Sequence, residues 1–157
     1  RCQILDCDIT NVSWGISTVL SWPPYQCEIH SSRIAGVYAA LLIDDRTSAT
    51  VENSVLTGGS NAVVCAREAD AISIHGCDFV KGAGPVFRCE RSAALGPVTY
   101  DVTNNYWGTT DESQIREWII DSNDDATIFA TVQYSPFSGQ TVPTETTSWG
   151  DVKVLFR

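Results

Sequence analysis

Five blocks of this chain align with one another without gaps. They are "CQILDCDI" at 2–9, "CEIHSSRI" at 27–34, "ATVENSVL" at 49–56, "ISIHGCDF" at 72–79 and "YDVTNNYW" at 100–107. Each reads as apolar, any, Ile or Val, any, small polar, a short polar or Cys residue, any, large apolar. The anchors Ile4, Ile29, Val51, Ile74 and Val102 recur at spacings of 25, 22, 23 and 28 residues. Periods of this length belong to stacked repeats.

A glycine follows each block, at Gly15, Gly36, Gly58, Gly82 and Gly108. Five residues beyond the first four stand Leu20, Leu41, Val63 and Phe87, and two further on Trp22, Ile43, Cys65 and Cys89. One period therefore holds two or three short alternating strands separated by tight bends. Beta-branched residues at a period of two favour strands. Stretches such as "HSSRIAG" and "ENSVLTGGSN" lack the helix formers that a helical repeat of this length needs. A single unit cannot bury its own apolar face, so neighbours must stack. The expected fold is all-β, a right-handed parallel β-helix of about five coils, with the hand set by the preference of parallel crossovers.

The roughly 22-residue coil and its "I-x-N-N-x-I" bend resemble the repeat of the pectate-lyase-like superfamily, over residues 1 to about 110. "NNYWG" at 104–108 reads as the terminal coil: Asn104 and Asn105 fill the bend, and Trp107 enlarges the column of Ile9, Ile34, Leu56 and Phe79 to close the core. A capping helix is expected over about 111–121, with Thr110 or Ser113 as N-cap and Ile115, Trp118 and Ile119 on one face. "ATIFATVQYSPF" alternates like a final strand. The whole run resembles the C-terminal end of secreted bacterial β-helix proteins, in which "N-x-W-W-G" leads to a helix, a "D-x-x-DD" turn and a "V-x-Y-x-PF" strand. The division expected is residues 1–140 as capped β-helix and 141–157 as polar linker and short tail.

Net charge is −9, from 19 acids against 10 bases, which argues against nucleic acid. No apolar run approaches a membrane span. The chain has no Met and begins inside an apparent strand. It reads as the C-terminal portion of a longer protein, with further coils or another domain before Arg1. With the resemblance, this gives an exported protein, secreted or at the cell surface, presenting a rigid face to a polysaccharide or a cell-surface glycan.

Side chains flanking the anchors point outward. One column is Leu5, His30, Glu52, His75 and Thr103, and the other is Gln3, Glu28, Thr50, Ser73 and Asp101. Both histidines fall in the first. With coils about 4.8 Å apart, His30, Glu52 and His75 should stack with Glu28 and Asp101 beside them. Such a group offers acid and base, or ligands for a transition metal. A solvated polar ladder is the simpler reading. In the family resembled, polysaccharide-cleaving members carry their sites on such a face, so a fragment of a polysaccharide lyase or glycoside hydrolase is the alternative. The calcium-binding acids with a catalytic Arg or Lys that mark the lyases are missing from it.

Trp14 and Tyr25 are the candidates for stacking on sugar rings, whereas Trp22 falls in an inward column. Asp44–Asp45 and the group Asp121, Asn123, Asp124 and Asp125 offer oxygen ligands to calcium, and a helix-ending turn explains the second group equally well. No cofactor is otherwise implied. Cys2 with Cys27, and Cys65 with Cys89, are in register by this alignment, either as disulfides or as stacked buried thiols.

Overall fold

A computed structural model describes residues 1–18 and 26–141. The strands come in chain order as β1 (Cys2–Leu5), β2 (Asp8–Thr18), β3 (Gln26–His30), β4 (Arg33–Ile43), β5 (Ser48–Glu52) and β6 (Val55–Thr57). Then follow β7 (Val64–Arg67), β8 (Ala71–His75), β9 (Asp78–Val80), β10 (Phe87–Glu90) and β11 (Val98–Asp101). A short helix α1 (Glu112–Glu117) precedes β12 (Ile119–Ile120) and β13 (Ala130–Gln133). All pairings between them are parallel. The result is a parallel β-solenoid of about four turns, with a fifth repeat in which the helix interrupts the strand pattern.

One sheet runs β1-β3-β5-β8-β11-β13. Its register is the one the anchors predict: Ile4 faces Ile29, Ile29 faces Val51, and Val51 faces Ile74. The second sheet bends around β4, whose first half pairs with β6 and second half with β7. Its inward column of Ile34, Leu56 and Phe79 continues to Trp107 across the Asp78–Tyr106 bridge, and all four side chains are buried. The "ATIFATVQYSPF" stretch does more than end the chain's strands, because β13 adds a sixth member to the first sheet, with Val132 on Tyr100.

The bend between the sheets explains the small polar column. Asp6, Ser31, Asn53, Gly76 and Asn104 all have left-handed backbone, with φ between 47° and 61°. Short polar side chains and glycine tolerate that conformation best. The next residue along forms a hydrogen-bonded ladder through the coils. Ser32 Oγ accepts from Cys7 N, Ser54 Oγ from Ser32 N, and Asn105 Oδ1 from Cys77 N. Ser32 and Ser54 donate in turn to the carbonyls of His30 and Glu52, and Asn105 Nδ2 donates to those of Ile74 and Val102. Backbone groups stranded by the inward bend are thereby satisfied. Glycine has a different task at the corner after it. A Cβ on Gly36 would lie 1.9 Å from the Ala39 carbonyl oxygen, so no side chain fits.

Three expectations are corrected. The third inward column is Ile16, Leu41, Val64, Phe87 and Ile119, with Thr18, Ile43, Ala66 and Cys89 beyond it. Val63 and Cys65 are one residue out of place because the third coil turns its corner with an extra residue. Leu20 and Trp22 lie outside the described residues, and bulges in β2 put Val12, not Gly15, opposite Gly36. Cys65 therefore stands opposite Arg88, in a small cluster with Leu42 and Ala62, while Cys89 faces the main core. Those two cysteines cannot bridge. Cys2 and Cys27 are in register, and all six cysteines are free thiols.

The helix is also shorter than expected. Asp111, rather than Thr110 or Ser113, is the N-cap and accepts from Ser113 N and Gln114 N. Ile119 and Ile120 are drawn out of the helical path by pairing with Phe87 and Arg88. No helix of the described residues is long and apolar enough to cross a membrane. Of the linker and tail expected over 141–157, residues 142–157 lie outside the described residues.

Candidate functional site

The outward face of the first sheet carries the predicted columns in register: His30 on Glu52 on His75, and Glu28 on Thr50 on Ser73 on Asp101. Register does not bring them into one group. His30 Nδ1 lies 3.4 Å from Glu52 Oε2. His75 turns the other way, placing Nδ1 2.9 Å from the Thr103 carbonyl and Nε2 2.9 Å from Ser73 Oγ, with Asp101 Oδ2 at 3.5 Å. A carbonyl can only accept, so Nδ1 donates to Thr103. The expected His–Glu–His stack is thus two separate histidine–carboxylate pairs.

Glu28 belongs to neither pair. It accepts from Arg1 Nη2 at 2.6 Å and Gln3 Nε2 at 2.8 Å. These bonds, Arg1 first, hold its carboxyl below the usual carboxylate range. Asp101 accepts from the Thr103 hydroxyl at 2.8 Å. Thr103 itself is buried at 7% exposure, so the column turns inward at its C-terminal end. Each carboxylate on this face is engaged by a neighbouring side chain, and among the described residues Arg1 is the one arginine or lysine that pairs with them, the other partners being His30 and His75.

The acidic turn after α1 is built around Asp121, which is fully buried. Its Oδ2 accepts from Val132 N, and its Oδ1 from Asn123 N, Asn123 Nδ2 and Arg116 Nη2. Arg116 also donates to Asp124 at 2.7 Å, and Asp125 accepts from the Thr127 amide and hydroxyl. The oxygens expected as calcium ligands hydrogen-bond the turn's own amides and its arginine. Asp44 is committed in the same way, to the Arg67 guanidinium and the Asp45 amide. Among the described residues no three His, Cys, Asp or Glu side chains gather to hold a metal ion.

Aromatic groups give a more open surface. Trp14 on β2 lies against Tyr38 on β4, with ring centroids 5.7 Å apart and planes inclined by 35°. Trp14 is 37% exposed, Tyr38 48% and the adjacent Val37 63%. The backbone beneath is tied down, because Val37 O accepts from Ser60 N and Tyr38 O from Asn61 N and Ala62 N. The rings therefore project from a fixed corner. Tyr38 was missed because it belongs to no repeat column; the bulge in β2 opposite β4 brings it beside Trp14. Tyr25 lies outside the described residues.

No protein-family model matches the chain, and neither does any curated protein or solved structure.

Proposed function

We propose that this chain is a non-catalytic β-helix module of an exported protein, secreted or at the cell surface, that holds a polysaccharide or another glycan-bearing surface. The observation that carries this reading is the Trp14–Tyr38 pair. Two exposed rings on a rigid corner offer apolar faces to the C–H groups of a sugar ring, with little conformational entropy to lose. The repeat and the capped C-terminal end support placing the chain with the pectate-lyase-like, bacterial-type β-helix proteins.

The competing reading, a lyase or glycoside hydrolase fragment, draws on the His30–Glu52 and His75–Asp101 pairs. General acid–base work needs groups converging on one reacting atom, together with something to stabilise its charge. A glycan array followed by titration of the bound sugar tests the binding reading: Trp14→Ala and Tyr38→Ala should each weaken retention about tenfold. The same preparations are scored for reducing ends and unsaturated uronates. Turnover that His30→Ala or His75→Ala abolishes would replace the module by the enzyme.

A further inference from the structure

The register of the coils sorts the six thiols of the chain. Cys7 and Cys77 belong to the bend, with the Ser32 and Ser54 rungs between them. Cys7 Sγ is turned to the Leu5 carbonyl at 3.1 Å, and Cys77 Sγ to those of Val51 and His75 at 3.8 and 3.4 Å. Cys65 stands opposite Arg88, while Cys89 faces the main core. Of the six, Cys2 and Cys27 are the two that hold the same place on adjacent strands.

Their column continues through Ala49 and Ile72, which places both side chains on the core side of the first sheet. Cys27 is buried at 4% exposure, whereas Cys2, on the edge strand, is open to solvent. Neighbouring strands lie about 4.7–4.9 Å apart, and a disulfide joins Cα atoms roughly 4.4–6.8 Å apart. Burial first, then the Cys2 thiol beside it, push the Cys27 thiol up to about 11. The effect of Cys2 includes a hydrogen bond between the two side chains, so the sulfurs already meet.

We propose that Cys2 and Cys27 are an oxidation site, closed to a disulfide by a small-molecule disulfide and locking β1 onto β3. With glutathione disulfide the exchange balances in two steps. The exposed Cys2 thiolate attacks one glutathione sulfur, breaks the glutathione S–S bond and releases one glutathione thiolate. Cys27 then gives its proton to solvent and attacks the Cys2 sulfur, and the bond from Cys2 to the second glutathione breaks. Two protein thiols are oxidised, their two electrons reduce the glutathione disulfide, and their two protons end on the two glutathione thiols.

β1 pairs with β3 alone. A covalent bond at Cys2 removes the freedom the opened coil would gain. Oxidation therefore supplies at this end what Tyr134 against Trp107 supplies at the other. The site is independent of what the Trp14–Tyr38 surface holds.

The test is incubation of the folded full chain with glutathione disulfide, followed by thiol counting and chymotryptic mapping. Cleavage after Trp14 and Tyr25 separates the two cysteines. Two of the six thiols should disappear into a Cys2–Cys27 link. Hydrogen exchange in β1 should slow at least about tenfold, and dithiothreitol should restore it. Cys7→Ser should still lock. Cys2→Ser, at an exposed position, should keep Cys27 as a thiol and leave β1 exchange indifferent to the oxidant. A lasting glutathione adduct on Cys2, a Cys2–Cys7 link or a dimer joined through Cys2 would overturn the inference. So would retention of all six thiols, or a Cys2–Cys27 link that leaves β1 exchange as fast as before.

Discussion

The two ends of the solenoid carry the same repeat and are buried very differently. At the N-terminal end Ile4, Ile9 and Ile16 are only partly covered and Leu5 is 53% exposed. One coil further on, their column partners Ile29, Ile34 and Leu41 are all buried. At the C-terminal end the matching places hold Phe79, Trp107, Ile119 and Val132, also buried, with Trp107 4.7 Å from Phe79 and edge-on to Tyr134 at 6.2 Å. The difference teaches that an apolar column in a solenoid is a core only where something packs on its open side, as Tyr134 does on Trp107. A residue in the first coil has the right identity and half of its contacts.

Hydrogen exchange should show the largest contrast. Amides of β1 should open with a free energy near zero, as fraying ends do, and those of β5 only with global unfolding, typically about 5–15 kcal/mol. Protection of residues 2–5 equal to that of 48–52, in a demonstrated monomer, would show that the first coil is closed and would break the comparison. Truncation of the aromatic column comes next. Trp107→Ala should cost roughly 3–5 kcal/mol in denaturant unfolding, whereas Ile9→Ala in the same column should cost about 1 kcal/mol. Similar losses at the two places would mean that the N-terminal column is as well packed as the other.

The polar ladder sharpens the same point on a smaller scale. Asn105→Ala strands the Cys77 amide and two carbonyls and should cost about 2–3 kcal/mol. Cys7→Ala, one rung from the open end and exposed, should cost under about 0.5 kcal/mol. A further effect is expected with pH. Burial pushes the Cys77 thiol from 9.0 up to about 12, and Cys27 and Cys65 up to about 11. A raised folded-state pKa leaves stability intact below the unfolded value and removes it as pH climbs toward the folded one. The loss should therefore begin near pH 9.0 and continue toward pH 12. For Cys77 it should be on the order of 1 kcal/mol at about pH 10, and Cys77→Ala should flatten the slope. A profile unchanged by that substitution would place the alkaline sensitivity elsewhere.

Repeat positions were legible wherever the number of residues per coil was regular. Ile4, Ile29, Val51 and Ile74, the bend column and the column ending at Trp107 were all correctly placed. The third column failed at Val63 and Cys65, where one extra residue in a corner shifts the side chains of β7 to the other face. Asp111 was passed over as N-cap because Thr110 and Ser113 carry the same signal, and only the path of the chain chooses among them.

Sequence alone determined the parallel β-solenoid, because an apolar pattern that no single coil can bury forces the coils to stack. It also determined which residues share the anchor and bend columns. Which of them touch was decided by the tertiary structure. His75 turns to Ser73, Asp101 and Thr103 rather than to Glu52, since register fixes a Cα and leaves the side chain to choose among its partners. The Trp14–Tyr38 pair arises from a bulge in β2. It depends on a departure from the repeat, and a repeat pattern carries no record of what meets where it is broken.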